Sequence, residues 1–312
     1  MTTQSIAAQT AAPAGPSWRH RLAEATPFIV LLPSVIATLI YVFIFTGWTI
    51  YISLSKSAMF PVSALQGTKA YSDLWANARW NIAYHNLFLF SALYVIGAMV
   101  IGLTLAILID QRVRAESVWR TIFLYPLAVS FVVTGTVWGW LYSPDTGIQM
   151  LVRSLGWSNF TFALTTSKDT AIYAIVITGI WQSSGFAMAL FLAGLRAVDP
   201  DIIKAAHIDG AGPFRTYSKV ILPTIAPIFI AVLVVLLQFA IKTFDLVVAL
   251  TAGGPGLATT FPALYVYDMM FQRGQIAQGA AAAMMILLAL AVVLVPYSIW
   301  LVWRRRRESH NV

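Results

Sequence analysis

Six long apolar runs constrain what this chain can fold into more than any other feature of its sequence. By residue number they cover about 27–54, 86–109, 121–142, 170–195, 223–246 and 280–303. A helix needs about 20 apolar residues to cross a hydrocarbon core about 30 Å thick, and each run is long enough to do so. Only 10% of the residues are charged, whereas a soluble globular domain carries about 25%. The sequence therefore predicts an all-α integral membrane protein with six transmembrane helices.

The segments outside the runs differ in composition. Residues 1–24 begin with a stretch of Ala, Thr, Gln, Ser and Pro that has no apolar period, which predicts a disordered tail. Residues 25–303 hold all six runs as one transmembrane domain, interrupted by a charged loop at residues 196–222. Residues 304–312 form a basic tail. The first run is longer than the core of a signal peptide, about 7–15 residues, so we expect it to be retained as a span.

Lysine and arginine residues indicate the orientation of the chain. Thirteen of them lie in the two tails, in the turn after the second run and in the 196–222 loop, against six in the other connections. Cytoplasmic loops carry an excess of these residues. We therefore expect both termini and the 196–222 loop to be cytoplasmic. The basic residues lie at the ends of apolar runs and do not form one face, so the net charge does not indicate a nucleic-acid partner.

The 196–222 loop carries the signals of a short helix. Asp199 can accept the free amide protons of a helix start, and Pro200 suits the first helical position. Gly210 supplies the stop. Ile202, Ile203 and Ala206 fall near one side of the helix, at spacings of three and four. Ala205 and Ala206 keep part of its surface nearly flush with the backbone, so the helix can lie close against another protein.

Ten positions of this loop follow a distinctive order of small, acidic and aromatic residues. They are Ala205, Ala206, Ile208, Asp209, Gly210, Ala211, Phe214, Tyr217, Leu222 and Pro223. This order resembles the cytoplasmic Glu-Ala-Ala loop of ABC importer permeases, especially those that import sugars. Lys204 departs from the family pattern, because it stands where the family usually has glutamate. Further similarity lies in residues 126–142, 250–255 and 265–267, and residues 244–251 look most like the glucose and mannose branch.

The resemblance implies the type I ABC importer permease fold, with residues 196–222 as a coupling loop. The residues that it implies for contact with a separate ATPase are Lys204, Ala205, Ala206, Asp209, Gly210, Ala211, Tyr217 and Pro223. The implied partners are a second homologous permease in a heterodimer, two ATP-binding subunits at the cytoplasmic face and an extracytoplasmic sugar-binding protein. The implied location is a bacterial or archaeal cytoplasmic membrane.

The sequence has no motif for nucleotide or metal chemistry. A phosphate-binding loop of the Gly-x4-Gly-Lys-Ser/Thr kind does not occur, and residues 253–256 have no lysine after them. The four histidines are scattered along the chain, and cysteine is absent. We therefore expect no cofactor on this chain, with ATP and magnesium used by the partner ATPase.

Polar residues within the apolar runs are the candidates for a substrate path. They are Trp181, Gln182 and Ser183 in the fourth run, and Gln238, Lys242 and Asp245 in the fifth. Amides and hydroxyls beside an aromatic ring suit a sugar, which presents hydroxyl edges and apolar faces. Lys242 and Asp245 are spaced to pair on one helical face. Structural roles remain equally open for these residues, as interhelical hydrogen bonds or an ion pair.

Three alternatives to sugar import by an ABC permease stay open. A secondary transporter would usually show inverted repeats and ionisable residues near the midplane of the membrane, and neither is visible here. A membrane enzyme would need converging catalytic residues. Import of glycerol phosphate or an osmolyte would keep the ABC class. Glycerol phosphate would favour additional basic residues in the path, where only Lys242 qualifies.

Overall fold

The computed structural model describes residues 30–111 and 113–309, and most of them are helical. Within this part of the chain there is no β-strand, only an isolated bridge between Ser55 and Leu65. The tail predicted at residues 1–24 lies outside the described residues, as do residues 310–312. The chain divides into two compact units, one ending at Tyr51 and the other beginning at Ile52.

Thirteen helices follow one another along the described residues. They are α1 (Val30–Ser53), α2 (Lys69–Ala76), α3 (Ala78–Asp110), α4 (Glu116–Ala128), α5 (Phe131–Tyr142), α6 (Ile148–Ser154), α7 (Ala171–Arg196), α8 (Pro200–Ile208), α9 (Pro213–Thr224), α10 (Ala226–Ile241), α11 (Asp245–Thr251), α12 (Pro262–Tyr267) and α13 (Ile276–Ser309). Helix α9 contains a π-helical turn at Tyr217–Ile221, and another follows α12 at Asp268–Gln272.

Four of these helices, α1, α3, α7 and α13, are long and apolar enough to cross a membrane. Two bent pairs also qualify when each pair counts as one span: α4 with α5, bent by 97°, and α9 with α10, bent by 67°. The structure thus supports an all-helical membrane protein with four to six spans. Six spans, the predicted number, require each bent pair to cross once. Helix α13 continues to Ser309, so the basic residues from 304 onward extend the last helix.

The third and fifth runs each form two helices with a bend between them. In the third run, α4 ends at Ala128, two residues after Pro126, and Ser130 caps α5 by accepting a hydrogen bond from the amide of Val133. In the fifth run, Pro223 and Pro227 flank a bend at Ile225, because neither residue has an amide proton to give to the helix. A helix continuing to residue 246 is wrong, since α10 ends at Ile241.

Close packing of α3 against α7 forms the centre of the second unit. Gly97 and Gly102 on α3 allow this close contact. A Cβ atom at Gly102 would lie 2.6 Å from the Cβ of Ala187 and 2.8 Å from the amide nitrogen of Met188, and one at Gly97 would overlap the side chain of Ile180. Small residues let the helix backbones approach in this way.

A smaller cluster surrounds the beginning of α3. Trp80 packs edge to face against Tyr265 on α12, with ring centroids 5.3 Å apart, and both are buried with Met269. Arg79 forms an ion pair with Asp268 beside them. These contacts fix the start of α3 to the segment that leads into α13.

Candidate functional site

The coupling loop contains the helix that its sequence predicts. Helix α8 is Pro200–Ile208, and the carboxylate of Asp199 accepts a hydrogen bond from the amide of Asp201 at 2.9 Å. At the other end Gly210 has φ +75°, a conformation that glycine adopts without strain. The amide of Gly210 donates to the carbonyl of His207, and the amide of Ala211 donates to that of Ala206, both at 3.0 Å. This pattern closes the carboxyl end of the helix.

The two sides of α8 have different surroundings. Ala206 is buried, and Ile203 packs against the main core. Ile202 and Ala205 lie exposed on the other side. The sequence predicts Ile202, Ile203 and Ala206 near one side; the structure places Ile203 and Ala206 together on the inward side, and Ile202 on the exposed side with Ala205. A helix has one inward stripe, and here that stripe is formed by the residues three apart.

The most exposed apolar side chains of the coupling loop are Ile208 at the end of α8 and Phe214 in α9. Each has 86% of its surface accessible. Burial of two such side chains by another molecule would contribute about 1.5–3 kcal/mol each. They make this part of the loop suited to contact with a second protein.

Lys204, the departure from the family pattern, has a local partner. Its ammonium group lies 2.8 Å from the carboxylate of Asp201, one turn earlier on α8. Both side chains are largely exposed, so the pair contributes at most about 1 kcal/mol. Asp209 is exposed just beyond the helix. Lys204 therefore leaves the shape of α8 intact, and its charge points away from the core.

Tyr217 connects the coupling loop to the end of α3. Its hydroxyl donates to the carboxylate of Asp110 at 3.0 Å and accepts from the side-chain amide of Gln111 at 2.7 Å. Pro223 lies near the end of the same helix α9, just before the bend at Ile225. Of the predicted coupling residues, Tyr217 is the one whose side chain reaches a distant part of the sequence.

Further charged residues adjoin this contact. The guanidinium of Arg196 lies 2.9 Å from the carboxylate of Glu116 and 3.8 Å from that of Asp110. Arg120 lies 3.6 Å from Glu116, one turn away on α4. We call these residues the polar cluster: Asp110, Glu116, Arg120, Arg196 and Tyr217. In the sequence its arginines indicate only orientation, although opposite charges at the ends of three apolar runs are a signal of pairing there.

Two predicted substrate-path residues make hydrogen bonds between helices. Gln182 on α7 is 1% exposed, and its amide donates to the carbonyl of Val129 at 2.8 Å, at the break between α4 and α5. Ser183 accepts a hydrogen bond from the hydroxyl of Tyr94 on α3 at 2.7 Å. The structure thus favours the interhelical interpretation of these two residues over contact with a substrate.

Two further candidates are more accessible. Trp181 is exposed on α7 and packs edge to face against Trp138 on α5, with ring centroids 5.6 Å apart. Gln238 is half-buried near the end of α10, and its side-chain amide makes no hydrogen bond to the described residues. Gln238 is therefore the candidate whose amide is free to bind another molecule.

Lys242 and Asp245 do not share a helical face. Helix α10 ends at Ile241 and α11 begins at Asp245, so no continuous helix carries both residues. The hydroxyl of Thr243 donates to the carbonyl of Phe239 at 2.9 Å, within the turn that ends α10. Both charged side chains are exposed, and no ion pair joins them. The expectation of a helical pair is wrong because it assumed an unbroken helix.

An open cleft of about 360 Å³ lies beside α11. It is lined by Thr165, by residues 248–252 and by Gly254 and Pro255. Thr165 comes from the connection before α7 and completes the cleft, so a single stretch of sequence could not reveal it.

Comparison with known families gives a match over most of the chain. Residues 98–308 match the family described as binding-protein-dependent transport system inner membrane component. This range contains the coupling loop, the polar cluster and all the candidate path residues.

Several similar proteins are named as transport permeases. A probable ABC transporter permease protein of Pyrococcus horikoshii is 37% identical over 88% of this chain and 95% of its own length. The trehalose/maltose transport system permease protein MalF of Thermococcus litoralis is 30% identical over 83% of this chain and 87% of its own. The sn-glycerol-3-phosphate transport system permease protein UgpA of Pectobacterium atrosepticum is 28% identical over 84% and 89%.

A solved structure has the same fold. It is the crystal structure of a bacterial ABC transporter involved in the import of the acidic polysaccharide alginate, and one of its chains superposes with a TM-score of 0.77. The match covers 90% of this chain and 97% of that one, at 21% identity. The described helices therefore adopt the fold of an ABC importer permease.

Proposed function

Because the chain belongs to the family of binding-protein-dependent transport system inner membrane components, we propose that it forms half of the translocation path of an ATP-driven sugar importer. The observation that carries this proposal is the coupling loop. Its helix α8 is closed at both ends, with the exposed side chain of Ile208 at its end and that of Phe214 shortly after it. A short ordered helix beside exposed apolar side chains suits insertion into a groove on a partner protein.

The energy source in this proposal is a separate ATPase. The sequence has no phosphate-binding loop, so nucleotide hydrolysis is assigned to another chain. Two ATP-binding subunits would dock at the cytoplasmic face and would use the ATP and magnesium. The exposed residues Lys204, Ala205 and Asp209 would contact one of them. Movement of that subunit would move α8 and switch the path between outward and inward access.

Two further partners complete the assembly. A second, homologous permease would supply the other half of the path, and an extracytoplasmic binding protein would deliver the solute, in keeping with the description of the family. The excess of lysine and arginine in the tails and the coupling loop supports an orientation in which both termini and the coupling loop lie in the cytoplasm. The proposed location is the cytoplasmic membrane of a bacterium or archaeon.

A sugar is the substrate class that the path residues fit best. A neutral sugar needs hydroxyl partners and an apolar surface, which the free amide of Gln238 and the exposed ring of Trp181 provide. The similarity to a trehalose/maltose permease supports this choice. Glycerol phosphate is the second candidate, because a relative carries that name. Its phosphate would need cationic partners, and Lys242 is the sole cation among the path candidates.

Reconstitution tests the proposed function directly. Membrane vesicles would contain this chain with its partner permease, ATPase and binding protein, and uptake of labelled glucose would be measured with and without ATP. We expect uptake that requires ATP and that excess unlabelled sugar reduces. If glycerol phosphate reduced the uptake and unlabelled sugar did not, glycerol phosphate would replace sugar as the proposed substrate. Uptake that persists without the ATPase would identify a secondary carrier and overturn the proposal.

Two glutamine variants separate a substrate contact from a structural one. Gln238→Ala removes an amide that has no partner in the described residues, so we expect unchanged stability and a KM for sugar raised about fivefold, the equivalent of about one hydrogen bond. Gln182→Ala leaves the carbonyl of Val129 without its partner, so we expect a loss of about 1–3 kcal/mol in stability. Thermal melting of the assembled complex and uptake kinetics measure both effects. A normal KM in Gln238→Ala would remove that residue from the path.

A further inference from the structure

We propose that the polar cluster is the joint that transmits movement of the coupling loop into helices α3, α4 and α7. This inference rests on the proposed function, because it needs a partner that moves the loop. It assigns a coupling role to three residues that the family resemblance did not suggest: Asp110, Glu116 and Arg196. They would act as positioning residues, without touching the transported solute.

The cluster lies at the base of the coupling loop. Arg196 is the last residue of α7, and only residues 197–199 separate it from α8. Tyr217 lies on the returning part of the loop, in α9. Both sides of the loop are therefore tied, through side chains, to the ends of other helices. A displacement of α8 must either move those helices or break these contacts.

The two carboxylates of the cluster come from different helices. Asp110 is the last residue of α3, and Glu116 is the first residue of α4. Arg196 contacts both of them, at 3.8 Å and 2.9 Å respectively. One guanidinium thus links α7 to α3 and to α4 at the same point. Guanidinium groups suit this arrangement because they present several donors in a fixed geometry.

Each charged residue at the centre of the cluster has two partners. Arg196 has Asp110 and Glu116, Glu116 has Arg196 and Arg120, and Asp110 has Arg196 and Tyr217. Loss of one contact therefore leaves each of these groups with a remaining partner. The charged groups of the cluster can therefore exchange partners while each of them keeps one. An element that switches between two discrete arrangements requires this.

The partial exposure of the cluster's side chains favours a role in coupling over a role in folding stability. The side chain of Arg196 is 40% exposed, and those of Asp110 and Glu116 are 24% and 27% exposed. Ion pairs with this access to water add little to folding stability. Their geometry nevertheless joins four helices, since α9 contributes Tyr217. A variant that breaks the cluster should therefore change the transmission of movement while the fold persists.

The test compares uptake with ATP hydrolysis in the reconstituted complex. Arg196→Gln removes the shared guanidinium, and we expect sugar transported per ATP hydrolysed to fall by about 2- to 30-fold. Arg196→Lys keeps the charge and should recover part of the ratio. Arg114→Gln is the matched control, because Arg114 lies in the connection between α3 and α4 and makes no ion pair to a described residue. The melting temperature and subunit composition should match wild type in all three.

A second variant covers the case in which Arg196→Gln does not assemble. Tyr217→Phe removes only the hydroxyl that reaches Asp110 and keeps the ring. We expect Tyr217→Phe also to lower the amount of sugar transported per ATP hydrolysed. A ratio equal to wild type in every variant that assembles would overturn the joint while leaving the proposed function in place. Failure of the wild-type complex to show ATP-dependent uptake would instead overturn the proposed function itself.

Discussion

Gly185→Val is expected to prevent stable folding of the chain. Gly185 lies on α7 where α4 crosses it, and a Cβ atom there would overlap the carbonyl oxygen of Phe123 and lie 2.7 Å from the carbonyl carbon. These are backbone atoms, so a change of side-chain rotamer cannot relieve the overlap. Overpacking of a core costs about 1–3 kcal/mol, and we expect a collision with backbone atoms to cost about 3 kcal/mol or more. The measurement is the folded fraction of membrane-inserted protein and its melting temperature in detergent.

Gly47→Val provides the matched control for this variant. Gly47 also lies in an apolar helix, and no heavy atom of its surroundings would lie within 4 Å of an added Cβ. The same chemical change should therefore have little effect there. If Gly185→Val melted at the same temperature as Gly47→Val, the close approach of α4 to α7 would be wrong.

The long spans were predictable because their length follows from the thickness of the membrane. Helices α3 and α7 contain the runs predicted at 86–109 and 170–195, apart from the residue at position 170. The sequence predicts a start at residue 86, eight residues after the observed start of α3 at Ala78, because residues 78–85 are polar enough to look like a loop. Those residues are helical in the structure because they pack against α12, as the Trp80 contact with Tyr265 shows.

The exact positions of the bends were harder to predict than the spans. Pro126 lies in the third run, yet the break occurs at residues 129–130. There the carbonyl of Val129 finds its partner in Gln182, 53 residues later in the chain. A hydrogen bond of this kind depends on the tertiary arrangement, and hydropathy carries no trace of it. The same limitation made Lys242 and Asp245 appear to share a helix.

In the coupling loop, too, contacts between neighbouring residues were predictable from the sequence, and contacts between distant residues were not. Asp199 and Gly210 bound α8 through contacts with their immediate neighbours, so short-range rules located both ends. The partner of Tyr217 is Asp110, 107 residues away, and only the fold brings them together. The sequence therefore shows each residue of the polar cluster as a charge or a hydroxyl but does not show that these residues lie together.

Gly210→Pro is expected to reduce ATP-driven uptake about tenfold or more while the complex still assembles. Proline requires φ near −65°, whereas residue 210 has φ +75°. The substitution also removes the amide that donates to the carbonyl of His207. A strained backbone position of this kind costs about 1–3 kcal/mol, so the end of α8 should open and lose its fixed place against a partner. Uptake of labelled sugar in reconstituted vesicles measures the effect, and co-purification of the ATPase measures assembly.

Gly210→Asn separates the backbone effect from the loss of glycine itself. Asparagine tolerates the left-handed conformation better than other side chains, and an added Cβ at position 210 would meet no heavy atom within 4 Å. We therefore expect Gly210→Asn to retain most of the uptake. Full uptake in Gly210→Pro would mean that the closed end of α8 is not needed for transport. Equal loss in both variants would mean that a partner packs against the glycine surface, because the two substitutions share added bulk and differ in backbone conformation.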